Sequence, residues 1–501
     1  MKFTPTKEQS HIVATASTGV DVIIQAYAGA SKTSTLVLVA EELKDKRILY
    51  LAFNKSIATE AQEKMPYNVD CRTVHSVAYQ HTDKAILKKL RYNNRPNNKQ
   101  LAQELGVVSC EALDTKTGDV VYLSDLRLVG WVNRTVLRYM QSSDLDISIK
   151  HVYIDEDYRS LSLGDVKQML LVCAKKLWNK YVNTNDKLPI PHDVYLKLFS
   201  LSDTNLGYDV VMVDECQDVS PVMLSILKAQ QTSQKIYVGD SFQKIYSFTG
   251  SVDITDMVDA VKCYLSKSFR FGDEIADNAN VLLQQLGATN RLYGNGTKCD
   301  IDNVSVQPNA ILCRTNSGVL QTYIQELNIN PEYKINISCD ADSILHFAEC
   351  LLELDSKGKT QHKHLKGFNS VGGFYKWLKE TDEDVDLELK HLASVCAKIG
   401  VKEVVRALNN YRNYDKPDLT IITAHKSKGL EWDCVELFDD FINPYTNECG
   451  DEERRLFYVA MTRAKRVLNG LNKYKDEAIK SGKLTFLNGS NILGLSKFGH
   501  D

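Results

Sequence analysis

The sequence predicts an α/β fold: two units with parallel sheets, each carrying a mostly helical insertion. Three observations lead there. Short apolar runs ending in polar groups recur at 23–26, 47–53, 208–215, 235–240, 310–314 and 419–422, as buried parallel strands do. Segments of helical spacing follow several of them, 34–43 and 274–285 included, which is the alternation of a doubly wound sheet. Two long stretches of helical pattern interrupt the alternation, at 80–205 and 343–416. The expected parts are a first unit of 1–79 with 206–266, a second of 267–342 with 417–485, the two insertions, and a loose Gly-, Ser- and Asn-containing tail at 486–501.

Bulk composition agrees with several compact cores. A chain of 501 residues exceeds one core and suits three or four units. With 43% hydrophobic and 25% charged residues, and no segment resembling a membrane span or secretion signal, it is expected to be soluble and intracellular, in cytoplasm or nucleoid, without a targeting signal. The 12 cysteines lack paired spacing, so reduced thiols are expected rather than a zinc site or disulfide framework, and His362 and His364 have no partnered cysteines. The net charge of −3 gives no global attraction, so a polyanionic partner needs local basic surfaces.

Taken in order, the first element is an amphipathic helix with Ile12, Val13 and Ala16 on one face, Thr4 as its cap and Pro5 at its first position. Gln9, on its first turns, suits either a base edge or a solvated helix face. An apolar strand then runs through Ala28, Gly29, Ala30 and Ser31 into Lys32, Thr33 and Ser34 at a helix start. A phosphate-binding loop needs small residues that let N–H groups turn onto a triphosphate, a lysine for the β and γ phosphates, and a hydroxyl for Mg²⁺. The usual pattern has glycine where Ala26 and Ser31 stand, and alone the segment fits an ordinary strand–turn–helix equally well.

Ligands on parallel sheets bind beyond the carboxyl ends of the strands. That places Phe53, Asn54, Lys55 and His75 on the working rim, or packed at the sheet edge. Lys84, Lys88, Lys89, Arg91, Arg95 and Lys99 around Tyr92 form either a phosphate-backbone patch or a solvated helix face. The basic run at 357–366 and the acidic run at 380–388 read as solvated faces.

The strand at 208–215 ends in Asp214 and Glu215, followed by Gln217 and Asp218. Adjacent acids are expensive to bury without a cation. Asp214 suits Mg²⁺ held through water, and Glu215 suits orienting and deprotonating an attacking water. With Lys32 and Thr33 they predict nucleoside triphosphate hydrolysis. Gln243 stands where an amide can feel a γ phosphate, while Tyr246 and Phe248 stack bases or join the core. A helix-like segment at 452–466 presents Arg463, and Arg454 either pairs with nearby acids or reaches the nucleotide.

These stretches form an ordered set: 26–33, 51–56, 73–78, Asp-Glu-x-Gln-Asp within 213–218, 238–250, Ser268-Phe269-Arg270-Phe271, Leu312-Cys313-Arg314-Thr315-Asn316, 423–432 and 456–464. The set resembles the superfamily 1 DNA helicases of the UvrD/Rep type, nearest to the helicase part of the F-box DNA helicases. The resemblance implies two RecA-like P-loop domains with ATP and Mg²⁺ between them. It implies that Gln9 reads adenine, Phe269 stacks on it and Glu431 accepts from the ribose. Lys32 and Thr33 would meet phosphates and metal, Asp214 and Glu215 would be the metal-holding and water-activating acids, Gln243 would sense the γ phosphate, and Arg270 and Arg463 would be arginine fingers. DNA contacts are implied for Phe53, Asn54, Lys55, His75, Tyr246, Phe248 and His425.

The chain departs from the pattern at Phe248-Thr249, where many relatives have Trp-Arg, and it opens at the glutamine helix without an F-box, so recruitment to a ubiquitin ligase is not expected. No nuclease-like acidic constellation remains, which disfavours a helicase–nuclease fusion. The activity expected from the resemblance is 3′ to 5′ translocation on single-stranded DNA by a monomer, with unwinding at single/double-strand junctions, in replication, repair or recombination. Replication or recombination proteins are its expected partners, and no membrane is. Two alternatives stand beside it: a translocase that strips proteins from DNA with little unwinding, and a nucleotide-gated DNA-binding module whose hydrolysis is impaired at Ser31.

Overall fold

A computed structural model describes residues 4–52, 54–93, 96–245, 254, 257–362, 364–380 and 387–480. Contacts divide the chain into a first unit of Met1–Gln25, Lys32–Ser241 and Tyr246–Leu265, and a second of Ala26–Ser31, Phe242–Ile245 and Ser266–Asp501.

The strands of the first unit are β1 (Val22–Ala26), β2 (Ile48–Ala52), β3 (Val69–Thr73), β4 (Cys110–Leu113), β5 (Val120–Leu123), β6 (Val210–Val213), β7 (Gln234–Gly239) and β8 (Val261–Leu265). Six of them make one sheet in the order β3-β2-β6-β7-β1-β8. The pairs from β3 through to β1 are parallel. Every residue of β2 and β6 is buried, because both faces of a central parallel strand are covered. At the edge, β3 carries Asp70 and Arg72 and is only partly buried, as a strand open to solvent on one side requires.

The first helix is Lys7–Ser17, not a helix begun at Pro5. Thr6 is its cap, because Gln9 stands three residues on and closes a reciprocal pair: Gln9 N–H donates to Thr6 Oγ1 at 3.2 Å and Thr6 N–H to Gln9 Oε1 at 3.0 Å. The segment read as 34–43 is helix Lys32–Glu42.

The stretch from 80 to 205 has its own core, around Leu128, Trp131, Tyr139, Leu170 and Leu177. Its main helices are Asp125–Gln141 and Gly164–Val182. It also contains the antiparallel hairpin of β4 and β5, where the sequence suggested only helical and irregular structure. Helix His192–Leu201 returns the chain to the sheet through Tyr195 and Phe199.

Lys89, expected among surface cations, is fully buried. Its ammonium donates to the carbonyls of Lys180 at 2.6 Å, Tyr181 at 2.9 Å and Asn183 at 2.7 Å, closing the end of helix Gly164–Val182. The last turn of a helix leaves carbonyls orphaned at its negative pole, and a cation satisfies both. Burial lowers the Lys89 ammonium from its ordinary value. Lys197 repeats the device at the end of helix Asp125–Gln141, donating to Ser142 at 2.8 Å and to the Asp144 carbonyl, and burial pushes it down to about 8 against the pull of Asp144. Lys84, Lys88, Arg91 and Lys99 are exposed, and Arg95 lies outside the described residues.

The strands of the second unit are β9 (Asp300–Ile301), β10 (Ala310–Cys313), β11 (Ile335–Ile337), β12 (Leu419–Thr423), β13 (Trp432–Leu437) and β14 (Ala464–Asn469). They form one parallel sheet in the order β11-β12-β10-β13-β14-β9. Helices Ala341–Lys357, Val371–Glu380, Leu387–Ile399 and Val401–Leu408 follow β11, and Phe347, Leu351 and Phe374 are buried among them. The segment read as helical over 452–466 is helix Asp451–Met461 followed by β14, so Arg463 lies in the turn between them.

All twelve cysteines are free thiols. Among the described residues, no group of three or more His, Cys, Asp or Glu side chains is arranged to hold a metal ion, and no helix is long and apolar enough to cross a membrane.

Lys89→Met leaves three carbonyls without their donor, and is expected to destabilise the first unit by about 2–4 kcal/mol. The exposed Lys88→Met should stay within about 0.5 kcal/mol of wild type. Urea unfolding followed by circular dichroism compares the two, and equal midpoints would refute the capping role.

Candidate nucleotide site

In the first unit, four elements bring polar groups together at the carboxyl edge of the sheet. Helix Lys32–Glu42 begins with Lys32, the half-buried Thr33 and the exposed Ser34. Lys32 Nζ forms an ion pair with Glu215 Oε1, just beyond β6. The buried Asp214 accepts from the Tyr50 hydroxyl through Oδ2 at 2.5 Å and from the Glu215 N–H through Oδ1 at 2.9 Å. Gln217 Nε2 donates to Glu215 Oε2 at 2.5 Å, while its Oε1 accepts from the Asp240 N–H at 3.1 Å. Gly239 allows this approach, since a Cβ there would lie 2.3 Å from Gln217 Oε1.

Glu215 has φ of +52°, a left-handed conformation that side chains rarely adopt, and bonds to Lys32 and Gln217 hold its carboxylate there. Burial and the neighbouring Glu215 push the Asp214 carboxyl up, against the attraction of Lys32. Burial alone would lower the Lys32 ammonium, but Glu215 and Asp214 outweigh it and leave it above its ordinary value. One cation facing two carboxylates leaves negative charge in a poorly hydrated place, suited to a hard divalent cation.

Sequence reasoning missed Tyr50. It read the residue as part of an apolar strand, although this is the one hydroxyl in Ile48-Leu49-Tyr50-Leu51-Ala52 and that strand neighbours the one that ends in the acids.

In the second unit, Gly29 has φ of +73°, and a Cβ there would lie 2.5 Å from Ser268 Oγ and 2.8 Å from Arg270 Cβ. Its carbonyl accepts from the Phe269 N–H at 2.8 Å, and the Ala28 N–H donates to the Tyr458 hydroxyl at 3.1 Å. Ser31 also adopts positive φ, +57°, where the common pattern has glycine. Arg270 Nε pairs with Glu431 Oε2 at 2.7 Å and its Nη1 donates to the Thr462 carbonyl at 2.9 Å. The buried Arg463 donates through Nη2 to Gln243 Oε1 at 3.2 Å, and Lys428 Nζ donates to the Gln243 carbonyl at 3.1 Å. Arg454 is committed to its own helix and the loop before it, with Asp451 at 3.3 Å and the Thr446 carbonyl at 3.0 Å.

Comparison with known proteins gives this arrangement a family. The model of the UvrD-like helicase C-terminal domain matches residues 240–469, and that of an AAA domain matches 9–249. The chain belongs to the UvrD-like helicases. It is 30% identical to F-box DNA helicase protein 1 of Schizosaccharomyces pombe over 92% of this chain and 57% of that protein, and 30% identical to F-box DNA helicase 1 of Gallus gallus over 89% of this chain and 47% of that one. DNA helicase IV of Escherichia coli is 23% identical over 53% of this chain. The chain thus spans about half the length of the relatives it matches.

As in a UvrD-like helicase, both sheets are parallel and α/β in build, the RecA-like architecture that the resemblance implies. Several residues carried over from the family have local structural partners here. Gln9 is fully buried, tied to Thr6 and, through Nε2, to Thr35 Oγ1 at 3.1 Å. Phe269 is exposed beside Lys267, whose Nζ lies 5.8 Å from its ring centre. Asn54 caps helix Lys55–Lys64 by accepting from the Ile57 N–H at 2.9 Å, and Lys55 is exposed. His75 lies in the first turn of helix Val74–Gln80, against the Tyr195 hydroxyl at 3.2 Å, and burial lowers its pKa from the ordinary value despite Asp193. Burial and the charge of Arg314 lower that of His425. Phe53, Tyr246 and Phe248 lie outside the described residues.

The two loop positions predict opposite outcomes. Gly29→Ala must displace Ser268 and Arg270 and adopt positive φ, so nucleotide affinity is expected to fall at least about tenfold. Ser31→Gly relieves a left-handed residue but loosens the unfolded chain, each by about 1 kcal/mol, so affinity and turnover should stay within about threefold. Equilibrium binding of a fluorescent ADP checks both. A switch from no activity to strong activity in Ser31→Gly would show the natural loop to be defective.

Proposed function

We propose that the chain is an ATP-dependent DNA helicase that moves 3′ to 5′ on single-stranded DNA and separates duplex at single/double-strand junctions, in replication, repair or recombination. The observation that carries this reading is the Lys32–Glu215 pair beside the buried Asp214, three groups that phosphoryl transfer requires. Kinship with proteins named as DNA helicases supports the choice of polymer.

The residues fit Mg²⁺. The Thr33 hydroxyl and the Asp214 carboxylate are the oxygen donors that this cation takes, and the adjoining acids leave negative charge for it. Bound there, it would neutralise charge on the β and γ phosphate oxygens. Lys32 exchanges its bond to Glu215 for those phosphates. Glu215, still held by Gln217, then orients a water in line with the γ phosphorus and accepts its proton. Arg270 leaves Glu431 and, with Arg463, stabilises charge on the transferred group, while Gln243 senses it. Glu431 is then able to accept from the ribose, and Phe269 offers an exposed ring to adenine. Gln9 retains capacity for a second bond at each end of its amide, enough for a base edge. Stacking of bases on aromatic side chains tolerates every sequence, which suits movement along any strand.

Lys32→Ala and Glu215→Gln are each expected to lower DNA-stimulated ATP turnover about a hundredfold or more with circular dichroism unchanged. Wild-type turnover in either variant would refute the site. Wild-type protein should unwind 3′-tailed and forked duplex but not 5′-tailed duplex, with an RNA duplex as control. Unwinding confined to 5′ tails would refute the polarity, and ATP-driven protein displacement without unwinding would favour a stripping translocase.

A further inference from the structure

We infer that Tyr50 is a positioning residue for the Asp214 carboxylate and, through it, for the divalent cation that accompanies the nucleotide. The inference rests on the reading of Asp214 as the metal-holding acid.

The geometry confines both partners. Tyr50 is fully buried on β2, in register with Cys71 on one side and Met212 on the other. The main-chain ladder between β2 and β6 continues to the acid itself, with the Asp214 N–H donating to the Leu51 carbonyl at 3.1 Å. The Tyr50 hydroxyl then bonds the carboxylate where that ladder ends. Each Asp214 oxygen has a donor, Oδ2 from Tyr50 and Oδ1 from the Glu215 N–H, so the plane of the carboxylate is set from two directions. Each oxygen keeps a further lone pair for a water or a cation.

A buried tyrosine needs a partner for its hydroxyl, and a backbone carbonyl would serve the fold equally well. This one instead spends its proton on a group of the reaction centre. A ring held in the middle of a sheet loses no freedom when the nucleotide arrives, so the carboxylate is oriented beforehand. Phenylalanine would fill the same space and leave Asp214 with one donor fewer, free to turn about its side-chain bonds.

The test uses the full chain and N-methylanthraniloyl-ADP as probe, with Mg²⁺ titrated upward from EDTA. In Tyr50→Phe, affinity in EDTA should match wild type within about twofold, while the Mg²⁺ concentration for half-maximal tightening rises roughly ten- to a hundredfold, the range for a lost hydrogen bond to a charged group. Asp214→Asn should raise the Mg²⁺ requirement by itself and make it insensitive to Tyr50→Phe. Circular dichroism melting fixes a temperature at which Tyr50→Phe is folded, and the titrations are run there, so early melting of the variant does not blur the comparison. An unchanged Mg²⁺ requirement in Tyr50→Phe, or equal losses in EDTA and in Mg²⁺, would overturn the inference while tight wild-type binding leaves the nucleotide site standing. Wild type and Lys32→Ala binding the probe equally poorly would overturn the nucleotide site, and the inference with it.

Discussion

Two carboxylates set side by side at the end of a buried strand repel each other, and the surroundings of Asp214 and Glu215 answer that repulsion. Lys32 supplies positive charge to the group, from a different element of the same unit. Tyr50, Gln217 and the Glu215 N–H supply hydrogen bonds. Because Asp214 is buried and Glu215 is mostly shielded, removing the cation costs more than a surface pair would, and a ligand that draws Lys32 away must bring compensating positive charge of its own. A metal-bound polyphosphate does both. The nucleotide reading therefore follows from charge balance as well as from motif.

This balance depends on the parallel sheet. In the first unit, parallel pairing brings the carboxyl ends of β2, β6 and β7 to one edge, so the Tyr50 hydroxyl reaches Asp214 and the charge of Asp240 is felt at Lys32 although these residues are distant in sequence. Gly239 at the end of β7 leaves room for Gln217, which joins Glu215 to the Asp240 main chain. An antiparallel sheet would alternate strand ends and scatter these groups. The left-handed backbone at Glu215 is strain of the kind that persists only where neighbours over-determine it, and its two side-chain partners do so.

The parts of this arrangement that were legible in the sequence are those with local signatures. An apolar run ending in Asp214-Glu215 and a small-residue loop ending in Lys32-Thr33 each announce a strand and its polar end. The two sheets and the helical stretches between their strands followed from the same periodicities. Distant pairings were not legible. Nothing near Lys89 tells that its ammonium reaches the end of a helix about ninety positions on, where the same charge that suits a phosphate suits three carbonyls. The Tyr50 hydroxyl likewise looked like one more buried side chain, because its partner lies on the neighbouring strand, far along the chain. Gln9 has the residue type of a base reader, yet its position three residues after Thr6 makes it first a capping residue.

Lys89 and Lys197 also show how a long helical insertion can leave a sheet intact. Chain leaves the first sheet after β3 and returns at β6, yet β2 separates the two by a single place. The entropy of closing a long excursion grows only slowly with its length, so the requirement is that the excursion satisfy its own polar groups rather than draw on the sheet. Its longest helices end with carbonyls that no helical N–H can reach. A buried lysine at each of those ends supplies the missing donors from within the unit, while helix His192–Leu201 hands Tyr195 and Phe199 back to the sheet core. The insertion thereby closes on itself, and the strand carrying Asp214 re-enters the sheet in register with Tyr50.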